Sequence, residues 1–486
     1  MFATPNPLIT AIMPTTASRL RYLPGAFRCF LSQTYENKEL VIVSEDSIEA
    51  HIPDHPAIRF VKIDGPATVG HKRNVACENA AGEVVVHWDD DDWSAPERMA
   101  TQLAVLKRFD VPVTGFNSMC FSQEWDGKLM RYSNDDREYA TGTSLMYLRG
   151  YWRSHRFENL NLAEDTRFTH AIPKGKIVAI DGTKLCVARD HKENTSPREF
   201  KLLGEFWQEV EDDSIKALLA VPKSRIVLSL LTWNTVDISL DSLAALKKEQ
   251  QRFRQLGHEC LIVVVDNGST DGLAEALKPQ KGEGVKVLLN KTNKGSSIAR
   301  NQIIKESQKW RADMLVFMDG DIEAPRWMLY SMCEYLAANP NVHHVGAWSE
   351  SYTDQRHLTT PFVTTLKGLR IEPNTDIAWT QLGAFKMSCF ERCQFPTQGV
   401  FGGPFWGWED GWLQEEFNEH GIVNHVFHGV RYLHRHAHHS VREGDKAGVD
   451  MRSTYNEAKK LFTERFPHRA EVYSDYQLPE DHFRER

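Results

Sequence analysis

Six sequence features occur twice, in the same order, along the 486 residues. A buried-strand run closed by a turn, LITAIMPT at 8–15, is matched by RIVLSLLT at 225–232. A helix follows each. In the second half Ser239 or Asp241 can cap it, Leu243, Leu246, Phe253 and Leu256 mark one face, and Gly257 stops it. ELVIVSEDS (39–47) and CLIVVVDNGSTD (260–271) are β-branched runs, the pattern of a strand buried on both faces of a parallel sheet. GHKRN (70–74) and GSSIARN (295–301) each open a helix. EVVVHWDDDDW (83–93) and DMLVFMDGDI (313–322) are strands ending in acids, whose first Asp follows the Arg by 16 and 19 residues. Farther on stand the pairs Glu164-Asp165 and Glu409-Asp410, each followed by a histidine region.

A chain that repeats this way folds as two similar bodies. The reading is two tandem α/β domains with mostly parallel sheets and right-handed crossovers, over 1–200 and 224–450. A helical linker at 201–223 and a C-terminal helix with a polar tail at 451–486 complete it. Such sheets bind ligands beyond the carboxyl ends of their strands, where both acid clusters fall. With 41% hydrophobic and 26% charged residues, the composition excludes disordered, collagen-like and coiled-coil chains. Net charge is −8 and neither half is basic, so no global field draws the protein to nucleic acid or anionic lipid.

The eight cysteines form no CxxC pair and read as free thiols of a reducing cytosol. Cys389 and Cys393, four apart, can meet on a helix, although their neighbours do not suggest a metal site. No apolar run approaches the roughly 20 residues of a membrane span, and 1–14 does not read as a signal peptide. The expected location is cytoplasmic, with peripheral attachment at the inner membrane left open.

Acids at i and i+2 on a buried strand's end concentrate negative charge, which a hard divalent cation resolves. Asp89/Asp91 and Asp319/Asp321 therefore read as corners for Mn²⁺ or Mg²⁺ and a diphosphate. The Glu-Asp pairs (Glu164, Asp165; Glu409, Asp410) offer a carboxylate that can take a proton from a hydroxyl. The second pair lies in GGPFWGWEDGW (402–412), where glycines allow close backbone approach and Trp406 and Trp408 offer indole faces to sugar C–H surfaces. His191 and the run His434, His436, His438, His439 are candidate further metal ligands; alternate positions would share one strand face.

These motifs resemble family 2 glycosyltransferases of the GT-A (Rossmann-like) fold, over about 5–195 and 225–445. The resemblance rests on VVVDNGSTDG, NKGSSIARN, VFMDGDI and WGWEDGW in the second half, and on HKRNVACENAAGE, VVVHWDDDDW and the AEDTRF–DHKENTS pair in the first. WGWEDGW is also similar to the acceptor-side motif of β-1,4-galactosyltransferases and of polypeptide N-acetylgalactosaminyltransferases. The tandem resembles bacterial two-domain chondroitin and hyaluronan synthases. The resemblance implies an inverting, metal-dependent enzyme using a nucleotide-diphosphate sugar, a UDP-sugar before others. It implies Asp266 as the contact to the nucleotide base, Asp89, Asp91, Asp319 and Asp321 for ribose and metal, and Asp165 and Asp410 as bases. The first half has SEDS where the family has Asp-Asp-Gly-Ser, so Glu45 stands in for the base-contacting Asp.

The expected reaction is one in-line displacement at the anomeric carbon, with Lys72, Arg73 and Arg300 facing the leaving diphosphate and a glycan, lipid-linked or other hydroxyl as acceptor. Alternatives are one live domain beside a degenerate acceptor-binding one, a carbohydrate-binding protein without turnover, a nucleotidyltransferase, and a transferase acting on hydroxymethylated DNA bases.

Overall fold

The computed structural model describes the chain except residues 1, 3, 192–193, 195–203, 221–222, 283, 348–369, 375–377, 379, 404–406, 429–432, 435–449 and 472–486. It divides into two compact units: Met1–Pro222 with Gln255–Gly257, and Lys223–Arg254 with His258–Arg486.

The first unit runs β1 (Ile9–Pro14), α1 (Leu23–Leu31), β2 (Lys38–Ser44), β3 (Ile58–Lys62), α2 (Val69–Asn79), β4 (Val84–His87), β5 (Trp93–Ser94) and α3 (Arg98–Phe109). It continues through β6 (Val113–Gln123), β7 (Leu129–Ser133), β8 (Met146–Leu148), α4 (Arg149–Ser154), α5 (Glu164–His170), β9 (Ile177–Asp181) and β10 (Cys186–Asp190). The second unit runs β12 (Arg225–Thr232), α7 (Val236–Gln255), β13 (Glu259–Asp266), α8 (Leu273–Leu277), β14 (Val285–Leu289), α9 (Ser296–Lys309), β15 (Met314–Met318) and β16 (Ile322–Glu323). Then come α10 (Met328–Ala338), β17 (His344–Ala347), β18 (Arg370–Asn374), β19 (Leu382–Lys386), α11 (Glu409–Glu419), β20 (Asn424–His428) and β21 (Leu433–His434), and α12 (Met451–Arg465) follows. Between the two sets lie β11 (Trp207–Val210) and α6 (Asp213–Leu218).

The repeat in sequence becomes a repeat in topology. Strand order β3-β2-β1-β4-β8 in one sheet matches β14-β13-β12-β15-β19 in the other. Within each set the first four strands are parallel and the fifth is antiparallel to the fourth. Beyond the fifth strand both sheets are mixed. β6 meets β7 and β8 antiparallel but β9 and β10 parallel, and β17 meets β19 antiparallel but β20 parallel. The parallel strands are apolar on both faces because helices cover both. Ile9, Ile12, Val41, Val85, Val227, Val263 and Leu315 are fully buried, each worth roughly 1.5–3 kcal/mol of apolar burial.

Two local readings change. The helix expected to start at Ser239 or Asp241 begins at Val236, because its first N–H is taken by the Asp271 carboxylate at 2.8 Å, a side chain from another loop. The stretch expected to be a helical linker carries β11, paired antiparallel with β7, ahead of the short α6. Its Trp-Gln-Glu-Val run suits an edge strand, with Trp207 resting on Phe121 and Tyr132.

Candidate functional site

Each site is assembled at the carboxyl ends of the parallel strands and the first turn of two helices. The acid run 89–92 follows β4 and splits by parity. Asp90 and Asp92 turn inward. Asp90 accepts from Thr15 Oγ1 at 2.5 Å and from Arg19 Nε at 2.7 Å; Asp92 accepts from Thr143 Oγ1 at 2.6 Å and the Arg189 N–H at 3.0 Å. Burial pushes Asp90 up to about 7 against the pull of Arg19, and raises Asp92. Asp89 keeps 24% exposure, whereas Asp91 is buried. Asp91 Oδ2 lies 2.9 Å from His191 Nε2 and 2.5 Å from Arg19, and the His191 ring stacks on Tyr22 at 4.6 Å.

A buried guanidinium ties the acid corner to the Glu-Asp pair, and does so twice. Arg73 on α2 meets Asp89 at 3.2 Å and Glu164 at 3.2 Å. Arg300 on α9 meets Asp319 at 3.1 Å and Glu409 at 2.9 Å, and lies 3.8 Å from Asp410. Exposure matches position by position: 5% for each Arg, 24% for each Asp, 7% for each Glu. Burial alone would lower both guanidiniums' pKa values, but the surrounding carboxylates outweigh it and raise them. Immediately before each Glu stands a residue in the left-handed region, Ala163 and Trp408, both at φ 64°. Neither is glycine, and strain of this kind gathers where a functional turn is fixed by its surroundings. The turn brings Glu164 onto Arg73, and both Glu409 and Asp410 onto Arg300.

The two units differ around the pair's Asp. Asp410 accepts from Thr380 Oγ1 at 2.6 Å, and burial pushes its carboxyl up to about 7 although Arg300 pulls it down. Asp165 is half-buried and seated against Gly142, where a Cβ would stand 1.6 Å from its Oδ2. They differ again at the second strand. Asp266 is fully buried at the end of β13. It accepts from Ser269 Oγ, and its Oδ2 has no hydrogen-bond partner among the described residues; burial raises its pKa. Glu45, its counterpart after β2, is held by Lys72 at 2.5 Å, and Lys72 also donates to the Thr15 carbonyl at 3.0 Å.

Of the residues expected from sequence, the structure brings Arg73, Asp89, Glu164 and Arg300, Asp319, Glu409, Asp410 into two clusters, with Asp91 and His191 joined beside the first. All three expected phosphate-facing cations, Lys72, Arg73 and Arg300, are engaged by protein carboxylates. Asp321 is half-buried, and the pairing of Ile322 with His434 brings β21 beside it. His436, His438, His439 and Trp406 lie outside the described residues. Trp408 packs on α12, 5.1 Å from Phe462 and 5.6 Å from Tyr455, within a cluster holding Phe401, Trp412 and Phe466. Sequence reasoning missed Thr15, Arg19, Gly142 and Thr380. Their only trace was position, just after a repeat strand or just before one.

The donor types at both corners suit a divalent cation. Asp91 with His191, beside Asp89, is a carboxylate–imidazole set of the kind Mn²⁺ accepts; Asp319 and Asp321 offer oxygen ligands. The orphaned buried NH1 of Arg73 and Nε of Arg300 leave a donor at each corner for an anionic ligand. Among the described residues no helix is long and apolar enough to cross a membrane.

The comparisons with known proteins follow the same division. The Haemophilus influenzae protein described as an uncharacterized glycosyltransferase is 29% identical over 121 residues, 23% of this chain. The match spans 47% of that relative's length. Among solved structures, Staphylococcus aureus TarS 1-349 in complex with UDP-GlcNAc is 18% identical, covering 39% of this chain and 61% of TarS, with a TM-score of 0.33. The mannosyltransferase PcManGT from Pyrobaculum calidifontis, in complex with GDP-Man and Mn²⁺, is 20% identical, covering 54% and 78%, with a TM-score of 0.32. The description Glycosyl transferase family 2 matches twice, at residues 10–175 and 230–392, once in each unit. With both acid corners inside those spans and an α/β unit with the same strand order around each, the chain belongs to glycosyl transferase family 2.

Proposed function

We propose that this protein is an inverting glycosyltransferase with two transferase units, each moving a sugar from a nucleotide-diphosphate sugar to a hydroxyl acceptor such as a growing glycan or a lipid-linked saccharide. The observation that carries the reading is the twice-built linkage of acid corner, buried Arg and Glu-Asp pair. A Mn²⁺ or Mg²⁺ ion, when bound by Asp89, Asp91 and His191 or by Asp319 and Asp321, supplies charge neutralisation for the leaving diphosphate.

The chain's own residues do the rest. Arg73 and Arg300 hold the first Asp of each corner and the Glu of each pair in fixed relation. The spacing between donor and base is therefore set before substrates arrive, and such preorganisation is what lowers a transfer barrier. Asp410 takes the acceptor proton in the second unit. Its position near neutrality, from burial against Arg300, suits a base at physiological pH. Asp165 has the same role in the first. Asp266, with its unpaired buried oxygen, contacts the nucleotide base, whereas the Glu45–Lys72 pair gives the first unit a different nucleotide preference.

The test is a panel of nucleotide sugars with Mn²⁺, scored for nucleoside diphosphate release by wild type, Asp91→Ala and Asp321→Ala. Two active units give two partial losses with distinct donors. If Asp91→Ala changes nothing while Asp321→Ala abolishes release, the first unit is an acceptor-binding domain; the engaged Glu45 favours that second reading.

A further inference from the structure

The second unit carries a cluster of ligand atoms that the acid corner does not use. Cys393 follows the 3-10 turn Met387–Glu391, while Glu416 and His420 stand one helical turn apart at the C-terminal end of α11. The ligand atoms of these three side chains all lie within 4.8 Å of one another. Cys393 Sγ is 3.8 Å from His420 Nδ1, and both atoms point at one oxygen, the Glu416 carbonyl, at 3.6 and 2.8 Å. Ligands at about 2.3 Å (sulfur) and about 2.0–2.1 Å (nitrogen) from a tetrahedral centre stand roughly 3.6 Å apart, close to the observed gap; to take a metal, both atoms give up the Glu416 carbonyl and His420 moves its ring proton to Nε2. A Glu416 carboxylate oxygen already belongs to that 4.8 Å group. Arg465 lies 3.5 Å from the Glu416 carboxylate but pairs more closely with Glu419, at 2.6 and 2.8 Å.

We propose that Cys393, Glu416 and His420 form a zinc site that fastens the loop after residue 391 to the end of α11. Thiolate, imidazole and carboxylate together select Zn²⁺ over the hard cations suited to the acid corners. Cys393 is fully buried and His420 exposed, so one side of the site is closed by the core and the other leaves a fourth position for water. On binding, the Cys393 thiol proton leaves to solvent and a metal–sulfur bond forms. Along α11, Glu416 lies about 9 Å and His420 about 15 Å from Asp410, since a helix rises about 1.5 Å per residue. The site acts on the helix that carries the base and takes no part in transfer.

Cobalt(II) tests this on the full chain, because it reports sulfur ligation by a thiolate-to-metal charge-transfer band that oxygen and histidine sites elsewhere do not give. One equivalent should produce the band, Zn²⁺ should erase it by displacement, and Cys393→Ser should lack it. The surface variant His420→Ala, which removes one ligand and leaves the core intact, should weaken cobalt and zinc binding by more than the roughly tenfold that losing a group which only orients a ligand costs. Zn²⁺ should also raise the melting temperature of wild type more than that of His420→Ala. Absence of the band in wild type overturns the site, as does its persistence in folded Cys393→Ser or unchanged affinity in His420→Ala.

Discussion

Replacing Arg300 by Met removes a positive charge while keeping an apolar stem of similar length. In the structure that guanidinium lies 3.8 Å from Asp410 and opposes the burial that pushes its carboxyl up to about 7. At an effective dielectric near 20, unit charges 4 Å apart interact by about 4 kcal/mol, and about 1.36 kcal/mol corresponds to one pH unit. Asp410 keeps 24% exposure and its Thr380 hydrogen bond, so solvent screening discounts this to roughly one pH unit. The sign is upward, because losing a neighbouring cation favours the protonated acid. The assay is the donor-saturated transfer rate against pH in an Asp91→Ala background, so that only the second unit turns over. The acidic limb, with its midpoint near 7 in that background, should move up by about one unit in Arg300→Met. A limb that stays in place or moves down refutes the assignment of Arg300 as the group that sets the base.

Asp410→Asn should cut kcat about 10²–10⁴-fold with donor affinity retained, checked by single-turnover kinetics and donor titration. The same substitution should stabilise the second unit at pH 8 more than at pH 5. The folded-state carboxyl binds its proton well above the ordinary 3.8, so its ionised form costs stability as pH rises towards about 7; thermal melts at the two pH values decide it. Gly142→Ala should impair the first unit's transfer selectively, because the new Cβ would occupy the space of the Asp165 carboxylate. Phe462→Ala should cost the second unit about 3–5 kcal/mol in denaturant unfolding by emptying the cluster around Trp408 and Trp412. It should lower that unit's transfer more than the first unit's.

Much of this architecture was legible because the repeat is written in residues whose spacing survives folding. β-branched runs marked the parallel strands, and the acids at their ends marked the open edge of each sheet. What the sequence hid was partnership. Arg73 and Arg300 read as cations for a phosphate, since pattern places them at a helix start but cannot show that two carboxylates distant in sequence converge on them. Thr380 and Gly142 carry no motif; each matters only because of where a Glu-Asp helix lands. Ala163 and Trp408 adopt a left-handed backbone without the glycine that would announce it. Strand β11 was lost because its four residues, Trp-Gln-Glu-Val, do not alternate and, beside a charged run, read as helix. Trp408 looked like a sugar platform, and its packing against α12 became visible only when segments 47 and 54 residues apart met in space, as the Cys393–His420 approach did across 27 residues.

Manganese counting by electron paramagnetic resonance, in the presence of a nucleoside diphosphate, addresses the twin acid corners most directly. Two ions per chain are expected, with one lost in Asp91→Asn, the other in Asp321→Asn, and both in the double variant. A chain that binds no manganese with any uridine, guanosine or thymidine diphosphate, or whose binding is untouched by both substitutions, contradicts the account.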